Sequence, residues 1–112
     1  MKFAKTSVAG TVEILAADDF VGLPCKIDET GVVPAGMPIT AAGKKATAGT
    51  NAAGVLLYDV NCDENPNGTI VVQGVIDATK AGKHAGIESY PVATLKTAVP
   101  GLIFRTNIGV NA

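Results

Sequence analysis

Gly54-Val55-Leu56-Leu57-Tyr58-Asp59-Val60 and Thr69-Ile70-Val71-Val72-Gln73-Gly74-Val75-Ile76 decide the fold class. Both runs are dense in β-branched side chains and nearly continuous in hydrophobicity, the pattern of strands covered on both faces. Between them lies Asn61 to Gly68, ending Asn65-Pro66-Asn67-Gly68, where Asn-Gly supplies the positive φ that a tight turn requires. The expected unit is an antiparallel hairpin.

Working outward toward the N-terminus, Asp28-Glu29-Thr30-Gly31 reads as a turn. Val32 and Val33 lead into Pro34-Ala35-Gly36-Met37-Pro38, whose prolines lack the N–H that a central ladder needs, so an exposed corner is expected. Ile39 to Thr50 is Ala/Gly/Lys-rich and reads as a mobile loop with at most a short strand. Thr11 to Ala16 and Phe20 to Ile27 are expected strands around an Ala17-Asp18-Asp19 turn, with Pro24 demoting part of the second to a sheet edge. Toward the C-terminus, Lys80 to Gly86 reads as a flexible exposed loop. Pro91 to Val99 carries Val92, Leu95 and Val99 at helical spacing and is the one expected helix, ending at Pro100-Gly101. Leu102 to Ile108 closes the chain as a last strand.

Thirteen Gly and six Pro punctuate these Val/Ile/Thr-rich runs at short intervals, the signature of short strands joined by tight turns. With 112 residues and no composition shift, charge block or repeat, the chain reads as a single domain over 1–112, with residues 1–16 as an N-terminal arm. The expected fold is mostly β: a small antiparallel β-sandwich or barrel-like domain with one short helix near the C-terminus.

Composition narrows function. Hydrophobic residues make up 47% of the chain, but aromatics only 4% and charged residues 17%, against roughly 25% charged in an average soluble domain. Small apolar side chains bury little area each, while ordering a residue costs about 1.5 kcal/mol whatever its size. A mean hydropathy of +0.32 with so few charges predicts apolar surface left exposed, the usual mark of a partner site. A net charge of −1 and scattered lysines give no footprint for nucleic acid. No stretch approaches the ~18 apolar residues of a membrane span, and the basic start Met1 to Ser7 lacks the apolar run of a signal peptide. Cys25 and Cys62 are expected as free, partly buried thiols of a protein made in a reducing compartment.

The side chains assemble no catalytic, cofactor or metal constellation. His84 is the only histidine and lies in the expected loop, so it reads as solvated rather than as a catalytic base. Two cysteines and one histidine fall short of the four ligands of a structural zinc site. Asp59-x-Asn61-x-Asp63 opens like a calcium-binding loop, but Glu64 stands where that loop needs Gly and Ile70 where it needs Glu. Ala42-Gly43-Lys44-Lys45 lacks the flanking residues of a phosphate-cradling loop, and Asp18-Asp19 and Asp28-Glu29 read as solvated turns. The expectation is a non-enzyme with no cofactor.

Three segments carry a resemblance: Gly54 to Val60, then Glu64-Asn-Pro-Asn-Gly68, then Ile70-Val-Val-Gln-Gly-Val-Ile-Asp-Ala78. In that order they resemble the tailed-bacteriophage head decoration and head fibre proteins, and Phe20 to Gly31 and Pro34 to Ile39 fit the same order. The likeness spans most of residues 10 to 80. It implies a small β domain, often trimeric, that binds the major capsid protein on the outer surface of an assembled head and cements neighbouring subunits. It also implies a structural protein of the virion, assembled in the host bacterial cytoplasm. Head fibre proteins of this kind usually continue into a long distal trimeric part, whereas this chain stops soon after Ile108. It is therefore expected as a capsid-proximal module or a compact decoration protein.

Within that reading, Lys2 to Ala16 is expected to add as an extended arm to the capsid or a neighbouring subunit, with Phe3, Val8, Val12 and Ile14 as apolar anchors. The alternative for this segment is an intramolecular edge strand. Two other classes stay open for the whole chain. A swinging-arm carrier domain of the lipoyl or biotinyl type would use Lys44 or Lys45, although Gly43-Lys44-Lys45-Ala46 shows neither the Asp-Lys-Ala nor the Met-Lys-Met turn of such carriers. Another small β-barrel binding module would need a lined pocket, which few aromatics supply.

Overall fold

The structure, a computed structural model, describes residues 14–105. In chain order its elements are β1 (Leu15–Lys26), β2 (Val32–Val33), β3 (Pro38–Thr40), β4 (Ala52–Leu56), β5 (Val60–Asn61), β6 (Asn67–Asp77), α1 (Ala78–Ala85), α2 (Val92–Ala98) and β7 (Leu102–Arg105). β6 organises them. Along one side it pairs antiparallel with β1; on the other it meets β4 through Val55↔Val71 and Leu56↔Ile70, then β7 from Gly74 onward. β3 extends the sheet beyond β4, and β2 pairs with β5 in a separate two-stranded ribbon. The fold is mostly β with antiparallel sheets, as the sequence predicts, and β4 and β6 form the expected antiparallel pair.

The continuous hydrophobicity of the two deciding segments has a direct cause. Val55, Leu57 and Val71 enter one buried cluster, with Ile76, Leu95, Val99 and Leu102. Their neighbours Leu56 and Ile70 enter a second, with Ile27, Val33, Met37, Ile39 and Val60. Successive side chains of a strand point to opposite faces, so these stretches are apolar on both. The helices cover the first face, and the β2–β5 ribbon with residues 34–39 covers part of the second.

Several boundaries depart from the sequence reading. β1 is continuous where a turn was expected at Ala17-Asp18-Asp19. Leu15 pairs with Ile76 and Phe20 with Gly74, so the surplus residues form a bulge instead of a reversal. β6 is long enough to pair with both halves, which removes the need to turn. Residues 11–13 of the first expected strand lie outside the described residues. Asn67-Gly68 does not make the hairpin turn either; it pairs in β6 with Lys26 and Cys25. The reversal comes earlier, where the Asn61 carbonyl accepts the N–H groups of Glu64 and Asn65 and the Asn61 Oδ1 accepts that of Asp63.

The expected exposed corner is buried: Ala35, Met37 and Pro38 are shielded from solvent. Backbone groups beside the prolines find partners in β4 and at Asp59, so the corner can be buried although the prolines offer no N–H. Gly36 N–H donates to Leu56 O, Leu56 N–H to Met37 O, and Ala35 N–H to Asp59 Oδ1. Ile39 and Thr40 belong to β3, a short strand of the kind allowed for there, and residues 41–50 are a loop fastened by hydrogen bonds. Thr40 N–H donates to Lys44 O and Asp28 N–H to Gly43 O, which ties the loop to the end of β1.

The largest miss is α1, expected as a loop. Asp77 caps it, its Oδ1 accepting the N–H groups of Thr79 and Lys80 at 3.1 Å each, and Gly86 closes it in the left-handed conformation. The expected helix is α2, within 91–99. The β6–α1–α2–β7 run is the crossover that lets β7 lie parallel to β6.

Urea denaturation should separate two costs. Asp77→Ala is expected to lose about 1 kcal/mol, the typical worth of an N-cap. Gly36→Ala should lose about 2–4 kcal/mol, because Gly36 has φ of +91° and an added Cβ would lie 2.6 Å from Ala81 O.

Candidate binding surface

The second buried cluster does not reach the far half of the sheet. Leu23, Cys25 and Ile27 step along one face of β1, and exposure falls along them from 48% at Leu23 to 1% at Ile27. Toward the other end of that face the register sets Val21 opposite Gln73 and Val75 opposite Ile103. On the reverse face, Leu102 is buried and Phe104 packs against the first cluster, which leaves Ile103 pointing away from the helices. Val21 is 44% and Ile103 58% exposed. Val21, Leu23, Val75 and Ile103 thus form an apolar face across β1, β6 and β7 that no described element covers. Phe20, 40% exposed, lies on the opposite face over the bare backbone of Gly22 and Gly74.

The same strand leaves an open edge. Ile27 N–H donates to Pro66 O, and with the Leu23↔Ile70 and Cys25↔Gly68 register this directs the odd-numbered amides of β1 toward β6. The backbone groups of Phe20, Gly22 and Pro24 therefore point outward, where Pro24 has no N–H to offer; past them Gly43 packs against the Lys26 carbonyl and accepts the Asp28 N–H, which closes that end of the edge. β1 is the terminal strand of its sheet among the described residues.

The polar groups form a joint elsewhere. His84, expected in a solvated loop, is carried on the last turn of α1, and its Nε2 lies 2.8 Å from Asp59 Oδ1. That oxygen also accepts the Ala35 N–H at 2.8 Å. Tyr90 donates its hydroxyl to Gly36 O at 2.6 Å and meets the Phe104 ring edge-on at 6.1 Å. The three hydrogen bonds hold α1 and the following loop against the buried 34–37 corner, and the ring contact ties the same loop to β7. Burial raises the Tyr90 phenol well above its ordinary value of 10.0.

The remaining sequence-singled residues are dispersed. Ile14 is fully buried in the first cluster, and its carbonyl accepts the Asp77 N–H, so its side chain serves this domain's own core. Phe3, Val8 and Val12 lie outside the described residues. Cys25 and Cys62 are half-buried free thiols. Asp63 is exposed and accepts the Gly31 N–H at 3.3 Å, and among the described residues no three His, Cys, Asp or Glu side chains converge as metal ligands. Lys44 pairs with Asp28 at 3.3 Å, with both side chains exposed, and the Lys45 N–H donates to Glu29. A shallow hollow of about 680 Å³ between the start of β4 and α2 is lined only by Ala, Thr and Asn, including Ala52, Ala93 and Thr97. The exposed apolar face was legible as an excess of apolar residues over charge, but not as a location. Its members sit on three strands whose pairing sequence spacing does not reveal.

The chain matches no protein-family model, no curated protein and no solved structure in comparisons with each.

Two measurements follow. A phenol held neutral by burial stabilises the fold fully below pH 10 and progressively less above it, because the unfolded chain ionises first. The urea midpoint of the native chain should therefore fall more steeply above pH 10 than that of Tyr90→Phe; parallel profiles would refute this. The intact mass should equal the 11.3 kDa of the residues, and a lipoyl or biotinyl adduct on Lys44 or Lys45 would establish the carrier reading instead.

Proposed function

We propose that this chain is a non-enzymatic structural module of a tailed-phage head, which docks on the outer surface of the assembled capsid and reinforces contacts between neighbouring subunits. One observation carries the binding reading: the apolar face of Val21, Leu23, Val75 and Ile103, left uncovered by a chain with few charges. Burying such a face against protein returns free energy in proportion to the apolar area removed from water. The sequence resemblance over residues 10 to 80 supplies the partner, the major capsid protein. A shell presents many identical sites, so modest individual contacts suffice for retention when several engage together. The arm contributes through Phe3, Val8 and Val12 in this proposal, with Ile14 as its root in the core.

Co-sedimentation with capsids purified without this protein, from the phage that encodes it, tests the proposal. The native chain should pellet with the capsids. Val21→Lys/Ile103→Lys should bind at least about tenfold more weakly, the loss expected for charging the centre of an apolar interface. Deleting residues 2–9 should weaken binding independently. Undiminished binding of the double variant would refute the role of the face, and no pelleting of the native chain would refute the capsid as partner.

A further inference from the structure

We propose that two copies of this chain pair through β1, edge to edge and antiparallel, about a two-fold axis at Gly22. The open edge is self-complementary in three respects. The first is backbone. Gly22 directs both its N–H and its C=O outward, so two Gly22 residues facing each other across the axis exchange reciprocal hydrogen bonds. In the same register Phe20 faces Pro24 of the other copy, and the Phe20 N–H meets the Pro24 C=O, the one group proline still offers. A copy shifted by two residues so that Pro24 faced itself would have no N–H at its centre. Proline therefore selects the register as well as blunting the edge against open-ended addition.

The second respect is side chains. Pairing about Gly22 sets Val21 opposite Leu23 of the other copy, on both sides of the axis. These are exposed apolar residues directly across a strand pair, the arrangement from which sheets draw cross-strand stability. The third is charge. Asp19 precedes this segment and Lys26 ends it, both exposed. An antiparallel two-fold brings the acidic end of each strand alongside the basic end of the other, whereas a parallel pairing would stack like charges.

The geometry also fixes the symmetry. A self-complementary edge closes on itself as a pair and leaves nothing to propagate, so it generates a dimer and neither a ring of three nor a filament. The axis stands perpendicular to the sheet, so the Val21, Leu23, Val75 and Ile103 faces of both copies lie on the same side of one continuous sheet. The pairing does not depend on the capsid reading, and it is tested on the isolated full-length chain.

Sedimentation equilibrium over micromolar to millimolar concentration should show a monomer–dimer equilibrium, with the heavier species at twice 11.3 kDa. Val21→Lys combined with Leu23→Lys should weaken the dimer at least about tenfold by setting like charges opposite each other across the axis. Val21→Lys combined with Leu23→Glu, which sets opposite charges at those positions, should restore it. Both positions are exposed, and unchanged far-ultraviolet circular dichroism and urea midpoints would show that the fold is retained. A persistent monomer, a trimer, or a dimer indifferent to the charge exchange would each overturn the proposal. If capsid binding fails while the dimer and its charge dependence stand, only the functional reading falls.

Discussion

The structure depends on β6 holding one register against three strands at once. Its Leu23↔Ile70 and Val55↔Val71 pairings leave adjacent residues of one strand feeding two separate cores. A slip by one residue would exchange the faces and empty both clusters. The neighbours are held close by missing side chains. A Cβ on Gly54 would lie 2.8 Å from Val71 O, and one on Gly101 2.7 Å from Val72 O. Backbone thus approaches backbone twice along the flank of β6 that carries β4 and β7, and only glycine permits it.

The same economy governs the helix side. α1 approaches the 34–37 corner because Ala81 meets Gly36, and the close contact substitutes for the large side chains that the chain lacks. Polar atoms then take over part of the work of specifying the packing. Asp59 joins His84 to Ala35, and Tyr90 caps Gly36. Buried side-chain polar atoms among the described residues all have partners, so this node adds geometric definition without the penalty of an unsatisfied group. Histidine here is explained by packing, which is why its isolation in the sequence said little about its role.

What the sequence made legible was whatever rests on local pattern. The two long apolar runs gave the paired strands, and Leu95 and Val99 at helical spacing gave α2. Pro24 correctly marked an edge. What stayed hidden rests on partners remote in the chain. α1 has a cap, Asp77, and a stop, Gly86, but its Ala-Thr-Lys-Ala-Gly-Lys-His-Ala body buries only small residues and has no apolar stripe. The 34–38 corner read as exposed because prolines cannot join a ladder, and it is buried because Asp59, Leu56 and Tyr90 satisfy its backbone from elsewhere. The apolar face was predicted in amount and not in place, since Val21, Val75 and Ile103 meet only through β6.

The location of that face follows from how little cover the chain can build. The β2–β5 ribbon has two residues in each strand, enough to shield the Leu56 and Ile70 end of the sheet and no more. Beyond the irregularity between Val21 and Gly22, the sheet continues with β7 on its flank and nothing described above it. A globular domain that must work alone resolves such a surplus by placing charge there. This one places Val, Leu and Ile, with Gln73 as the polar member, and, apart from Lys26 at the end of β1, puts the lysines among its described residues at the loops and on the helices. The edge beside the face is guarded differently. Pro24 interrupts its donors, while Gly22 leaves a short stretch of backbone free. A guarded edge next to an unguarded face favours a small, defined set of partners over indiscriminate strand addition.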